Sequence, residues 1–463
     1  MGGASRLPER MKGPAKIRAL VFGIGVLSLL GYAAGFPRIA GLGQQTLVLY
    51  VSLFVGLFVL YVLAAWAVLS RRSDDRVVLG LILGFGLLFR LVLLPTPVVL
   101  SSDIYRYLWD GKVHWAGINP YRHPPAAEEL AGLRDPVIYP AINRPEKRTV
   151  YPPGTEALFA LVAGIAPNSI VGWRLFLLGC EIATGALLLR TLRRANVPRA
   201  AILLYAWAPL VIFEGVQAGH LEVAMIPAIL LALPWRQEGR MALAGAALGV
   251  AILLKLYPAV LLPVWWRRRE WRLPTACAAV VTAGYVPYLM GVGLRVAGFL
   301  PEYFGSAEDF NIGLRFFLTD GIGLRGEVTR GIVMLLLFGL MLAVLLRIGQ
   351  WRPEDAEGIF RVGMTAAAAY IVLVPTAMHA WYALWILPFI TVRFSAAWLW
   401  FTGAVALSYL KYAWEPAEFP FWIRALEYFP LYVLLALEWY TGRALPAFSN
   451  FFPRRPGMAG TAP

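Results

Sequence analysis

Apolar stretches of membrane-spanning character recur along this chain from one end to the other, and that feature constrains its fold more than any other. They fall near 19–36, 45–69, 77–97, 169–192, 200–213, 221–235, 241–254, 257–266, 273–291, 328–347, 358–376, 380–392, 394–410 and 424–441. Runs of this kind are read as helical spans, because hydrocarbon leaves backbone polar groups no partner but one another. Several are too short to cross a bilayer without tilt or a broken helix, so the expected fold is an all-α polytopic bundle of roughly 11–14 spans. Charged residues make up only 15% of the 463 residues, which excludes a soluble globular enzyme. The net charge of +15 is scattered between apolar runs and forms no basic face, so it suits lipid headgroups and topology and argues against nucleic acid. Cys180 and Cys277 both lie inside apolar runs, leaving no disulfide framework and no cysteine metal cluster.

Charge sets the expected orientation. With the N-terminus cytoplasmic and sides alternating at each span, the segments 1–18, 71–76, 190–199, 236–240, 267–272, 347–361, Arg393 and the tail after 441 are cytoplasmic. They hold about 25 of the 42 Lys and Arg but about 8 of the 27 Asp and Glu, so both termini are expected inside. The basic start (Arg6, Arg10, Lys12, Lys16, Arg18) reads as the flank of a retained first helix, because no clean cleavage site follows it and further spans do. Arg236 and Arg240 require one cytoplasmic end, and Arg267, Arg268, Arg269 and Arg272 require another. A helical hairpin turning at Lys255-Leu256-Tyr257-Pro258 satisfies both, since proline disfavours continuation of a helix.

This topology divides the chain into N-terminal spans (1–97), a large extracytoplasmic segment (98–168), a further bundle (169–441) and a cytoplasmic tail (442–463). The 98–168 segment is too aromatic for a disordered linker and is expected to be an ordered cap with one or two short helices, 154–166 foremost. No internal repeat is evident.

Nearly all the unusual polar residues fall on the outer side. Ser101 to Gly111, Gly117-Ile118-Asn119-Pro120-Tyr121 and Tyr151-Pro152-Pro153-Gly154-Thr155-Glu156 share the cap. Gly219-His220-Leu221-Glu222, Lys255 to Pro258, Asp309-Phe310-Asn311-Ile312-Gly313 and His379-Ala380-Trp381-Tyr382 sit at outer ends of spans. Ionisable groups near membrane depth are costly and mark functional cavities by default, so seven clusters on one face suggest one outward site. Asp103, at a helix end facing a partly dry space, has the placement of a general base; the plainer alternative is that Ser102 or Asp103 merely caps a helix. Asp110, seven residues on, shares the helical face of Asp103 and suits an i,i+4 pair with Arg106. His220 and Glu222 with Asp103 are candidate ligands for a divalent cation, or simply hydrogen-bonding groups. Lys255 either neutralises a phosphate or snorkels, with Arg315 and His379 as further phosphate candidates. Arg90, Arg174 and Glu181 read as pairs inside the bundle.

The ordered series Asp103-Ile-Tyr-Arg-Tyr, Gly117-Ile-Asn-Pro-Tyr121, Tyr151-Pro-Pro, Gly219-His-Leu-Glu222, Leu254-Lys-Leu-Tyr-Pro258, Phe310-Asn-Ile-Gly313 and His379-Ala-Trp-Tyr382 resembles the polytopic GT-C glycosyltransferases, above all the bacterial mannosyltransferase-like group around glycosyltransferase family 87. The resemblance runs from about 77 to 392. It implies a bacterial inner-membrane enzyme with an extracytoplasmic active site. A polyprenyl-phosphate-linked sugar, mannose by family default, would be the donor and a glycan or glycolipid the acceptor. Asp103 would be the catalytic base, and Tyr105, Arg106, Asn119, Tyr121, Tyr151, His220, Glu222, Lys255, Tyr257, Asn311, Arg315, His379 and Tyr382 would bind substrate. Three departures stand out: Glu222 where the family has Asp, Ala380 after His379, and an acid that follows the third apparent span. The alternative class is a transporter or flippase of lipid-linked sugars, which would concentrate polar groups at midplane.

Overall fold

Long apolar runs satisfy their backbone only by coiling, and the computed structural model accordingly shows helices and no strand among the residues it describes: 13–39, 45–70, 75–266, 269–305, 310–324, 326–351, 355–374, 376–414, 417 and 419–441. Arg6, Arg10, Lys12, Arg267, Arg268, Asp309 and the 442–463 tail, all used in the sequence reading, lie outside these residues.

Six described helices are long and apolar enough to cross a membrane: Ala15–Ile39, Thr46–Leu69, Arg76–Leu93, Ile170–Arg194, Arg272–Tyr303 and Glu327–Gly349. A seventh is added if Arg199–Ala206 and Val211–Gln217, bent by 65° at a short break, count as one span. The other apolar windows of the expected 11–14 fold as helices that do not qualify on length and composition. Glu222–Gln237 is interrupted by Pro227 and Pro234, Met241–Leu254 has only 14 residues, and Phe421–Thr441 carries Arg424, Glu427 and Glu438. The last of these charges is used structurally: Glu438 accepts bonds from Ser395 Oγ and the Ala396 amide, both at 2.7 Å, and so caps a neighbouring helix.

The expected turn at 255–258 is present and returns the chain to the Arg236 end, where Arg236 Nε donates to the Trp265 carbonyl at 2.7 Å. The Met241–Leu254 helix ends at the turn, with Lys255 extended (φ −151°, ψ 143°), followed by a 3₁₀ turn at Tyr257–Val260 and the short helix Leu261–Trp265. The two arms diverge, however: Met241–Leu254 packs against Glu222–Gln237 and Arg272–Val292, whereas Leu261–Trp265 packs against Glu327–Gly349 and Ala356–Leu373.

Buried ions fasten the bundle. Arg90 pairs with Glu181 and donates to the Gly86 and Ala206 carbonyls at 2.7 and 2.8 Å. Arg174, expected to pair similarly, instead donates to the Leu94 and Thr96 carbonyls at 2.9 and 2.5 Å. Those carbonyls end the third span, and Gln217 Nε2 holds the next, on Pro97, at 2.8 Å. The strand of chain that leads to Asp103 is therefore anchored from two directions.

The 98–168 cap contains the helices Asp103–Trp115 and Pro153–Ile165 and two 3₁₀ turns, Glu128–Leu133 and Tyr139–Ala141. The two helices pack closely because Gly111 faces the Phe159 carbonyl, where a Cβ would come within 2.6 Å, and Tyr107 stacks on Phe159 at 4.7 Å.

Candidate active site

Asp103 is the first residue of its helix and Ser102 takes the N-cap position, although Ser102 makes no side-chain capping bond; the Asp103 amide donates to Ser101 Oγ at 3.3 Å. The Asp103 carboxylate accepts a hydrogen bond from Asn143 Nδ2 at 2.7 Å and faces a cavity of about 360 Å³. Asp103 is the one carboxylate among the cavity's described lining residues, alongside Arg106, Arg144, Lys147, Arg148 and Lys255.

Each cation is positioned differently. Arg106 Nε lies 2.9 and 2.8 Å from the two Asp110 oxygens, the expected i,i+4 pair, but fully buried; its Nη1 donates to the Lys147 carbonyl at 3.0 Å. Behind that pair the Thr149 hydroxyl donates to Glu156 Oε1 at 2.5 Å. Burial pushes the Glu156 carboxyl well above the usual range, with the nearby Asp110 charge adding to it; burial likewise raises Asp110 against the pull of Arg106. The Asn143–Arg148 stretch is thus held from below by buried polar groups while its side chains reach the cavity. Lys147 also pairs with the exposed Glu302 at 2.6 Å, and Arg144 and Lys147 sit 5.7 and 5.2 Å from the Phe299 ring.

Lys255 does not snorkel to solvent. Its ammonium lies 2.9 Å from Glu222 Oε1, and 5.3 and 5.7 Å from the Tyr151 and Tyr382 rings. The extended residue at the helix break aims it there, while the Leu254 carbonyl released by the same break accepts from the Thr155 hydroxyl at 2.5 Å.

A ladder of flat rings forms another wall. Phe310, His379, Trp381 and His220 stack in order at 4.5, 4.3 and 4.0 Å, which brings together three motifs far apart in sequence. Burial lowers the His379 pKa to about 3, so its imidazole is neutral. His220 Nε2 lies 3.2 Å from Glu214 Oε2, and the other Glu214 oxygen accepts from Tyr409, a cavity residue, at 2.6 Å.

Of the expected site residues, Asp103, Arg106, Tyr151, Lys255, His379 and Tyr382 line the cavity. His220 and Glu222 lie buried directly behind it. The others lie off the cavity lining. Asn119 Oδ1 accepts from the Tyr121 amide at 3.1 Å, and Tyr121 donates to the Tyr151 carbonyl at 2.5 Å. Tyr105 packs on the hydrophobic core, and Tyr257 rests on Tyr370 and Trp385. Asn311, at φ 48°, accepts on its carbonyl from Tyr428 at 2.6 Å, and Arg315 donates to the Thr376 carbonyl at 3.2 Å. Among the described residues no group of three or more His, Cys, Asp or Glu side chains is placed to hold a metal ion. Asp103, His220 and Glu222, weighed as a cation site, are separately engaged by Asn143, Glu214 and Lys255.

Sequence reasoning missed Asn143, Arg144, Lys147 and Arg148. The available signal was a basic run in a segment that the expected topology places where basic residues are disfavoured.

Residues 17–267 match the family described as alpha-(1->6)-mannopyranosyltransferase, N-terminal domain. No curated protein and no solved structure matches the chain. The matched stretch carries Asp103, the basic run and Lys255; the ring ladder and Tyr382 come mostly from beyond it.

Proposed function

The chain belongs to the alpha-(1->6)-mannopyranosyltransferase family, and on that premise we propose that it moves a mannosyl group from a polyprenyl-phosphate donor to the 6-hydroxyl of a glycan or glycolipid acceptor on the extracytoplasmic face of a bacterial inner membrane. The family supports a mannosyltransferase, and the apolar helices support a multi-pass membrane protein. The single observation that supports the finer reading is the composition of the cavity, whose described lining holds one carboxylate together with several cations.

Asp103 accepts the proton of the acceptor hydroxyl as that oxygen forms its bond to the anomeric carbon. The bond from that carbon to the phosphate oxygen breaks, and its electron pair leaves with the polyprenyl phosphate. The leaving group gains negative charge, so it needs cations more than a proton, and the 144–148 segment supplies them. Asn143 fixes the carboxylate by donating to one oxygen, which leaves the other for the acceptor.

The test is transfer in lipid nanodiscs from a polyprenyl-phosphate mannose to an α-mannoside acceptor, followed by mass spectrometry. Asp103→Asn preserves size and should lose about 10²–10⁴-fold in turnover while still binding donor. Turnover at the wild-type rate would remove Asp103 as the base. Donor that crosses the bilayer in both proteins with no transfer in either would favour a flippase.

A further inference from the structure

We propose that the Lys255–Glu222 pair is a subsite for the hydroxyls of the transferred hexose, and that the donor phosphate is received at the cavity mouth by Arg148 and its neighbours. The inference rests on the polyprenyl-phosphate donor reading above.

Charge separates the two roles. The Lys255 ammonium is matched by a fully buried Glu222 carboxylate 2.9 Å away, so the pair presents no net charge to a phosphate. An ammonium carries three N–H donors, and a single carboxylate contact leaves others for the cavity that Lys255 lines. What such a group recognises well is a neutral hydroxyl. Its surroundings agree: the Tyr151 and Tyr382 rings flank the ammonium, and Trp381 lies on the same lining. A pyranose has both features, hydroxyls on its rim and an apolar C–H face to lay on aromatic rings.

Depth separates them as well. The Lys255 side chain is 16% exposed and that of Lys147 38%, which places the former inside and the latter at the lip. The Lys147 pair with Glu302 is at the surface, where ion pairs are weak and exchange readily. Arg148 donates to the Arg122 carbonyl, a neutral acceptor, at 3.3 Å, and no ion pair of Arg148 is found among the described residues. A phosphate at this lip lies where a lipid-borne headgroup would arrive, with the sugar ring reaching inward.

The experiment measures binding of two lipids, a short-chain polyprenyl phosphate and its mannosyl ester, to the full chain in nanodiscs. Lys255→Met alone would strand a buried carboxylate, so the variant is Lys255→Met with Glu222→Gln, which removes both charges together. The mannosyl lipid should bind about tenfold more weakly, the loss expected for a charge-assisted hydrogen bond, while polyprenyl phosphate stays within about twofold. Arg148→Gln should weaken both lipids alike. Equal weakening of both by the double variant would make Lys255 a phosphate cation, and no weakening of either would make the pair structural; each result overturns the subsite. If the wild type binds neither lipid, the donor reading itself falls and the subsite with it.

Discussion

Replacing Gly298 with alanine should loosen the cationic lip of the cavity although Gly298 lines no part of it. Its backbone sits at φ 55°, ψ −133°, a region that costs other residues about 1–3 kcal/mol. An added Cβ would fall 1.8 Å from the Thr149 carbonyl oxygen, so that carbonyl must retreat by more than an ångström. Retreat breaks the bond it accepts from the Phe299 amide at 3.1 Å, a loss of about 1 kcal/mol. The two effects together predict about 2–4 kcal/mol of local destabilisation. Thr149 adjoins Arg148, and Phe299 is the ring beside Arg144 and Lys147, so the shift passes straight to the cations. Thermal unfolding of the purified protein and titration with polyprenyl phosphate would report it: a lower midpoint and donor binding weakened about tenfold. A Gly298→Ala protein with the wild-type midpoint and wild-type affinity would refute the idea that the Thr149–Phe299 contact holds the lip.

Other outcomes follow from the same geometry. A single base with direct displacement inverts the anomeric centre, so an α-linked product requires a β-linked donor; product configuration by NMR decides this, and retention would sink the mechanism. Asp110→Ala leaves the buried Arg106 guanidinium without its carboxylate and should destabilise the fold by about 3–5 kcal/mol in denaturant titrations, whereas substitution of both by apolar residues should restore much of that. His379 has a folded pKa of about 3, below its ordinary 6.5, so the unfolded chain binds the extra proton between those values. Its contribution to stability is therefore complete above pH 6.5 and declines as pH falls toward 3. His379→Asn should flatten that part of the pH–stability curve, and an unchanged slope would contradict the burial argument.

Much of the cap was legible in the sequence. Asp103, Arg106 and Asp110 lie within two helical turns of one another, and local spacing is enough to predict which of them meet. The Asn143–Arg148 run was not, because nothing in an aperiodic loop tells which helix it will lie beside some forty residues away. Asn119 and Tyr121 lie off the cavity lining. Their residue types suit sugar binding, yet a short Asx-type turn and the Tyr121 bond to Tyr151 use the same polar atoms to brace the loop. The turn at 255–258 was legible because proline and the break are local, but which helices each arm packs against is settled by its neighbours.

By itself the sequence determined the solvent. Runs of apolar residues carry their transfer free energy with them wherever they pack, so an all-helical membrane protein with an ordered polar cap followed from the order of residues alone. Only the tertiary structure decided which polar groups line the cavity and which lie behind it. The stack of His220, His379 and Trp381, the pairing of Lys255 with Glu222 and the bond from Asn143 to Asp103 join residues from about 30 to 160 positions apart. Such contacts depend on side-chain direction and helix packing, which no single stretch of chain encodes.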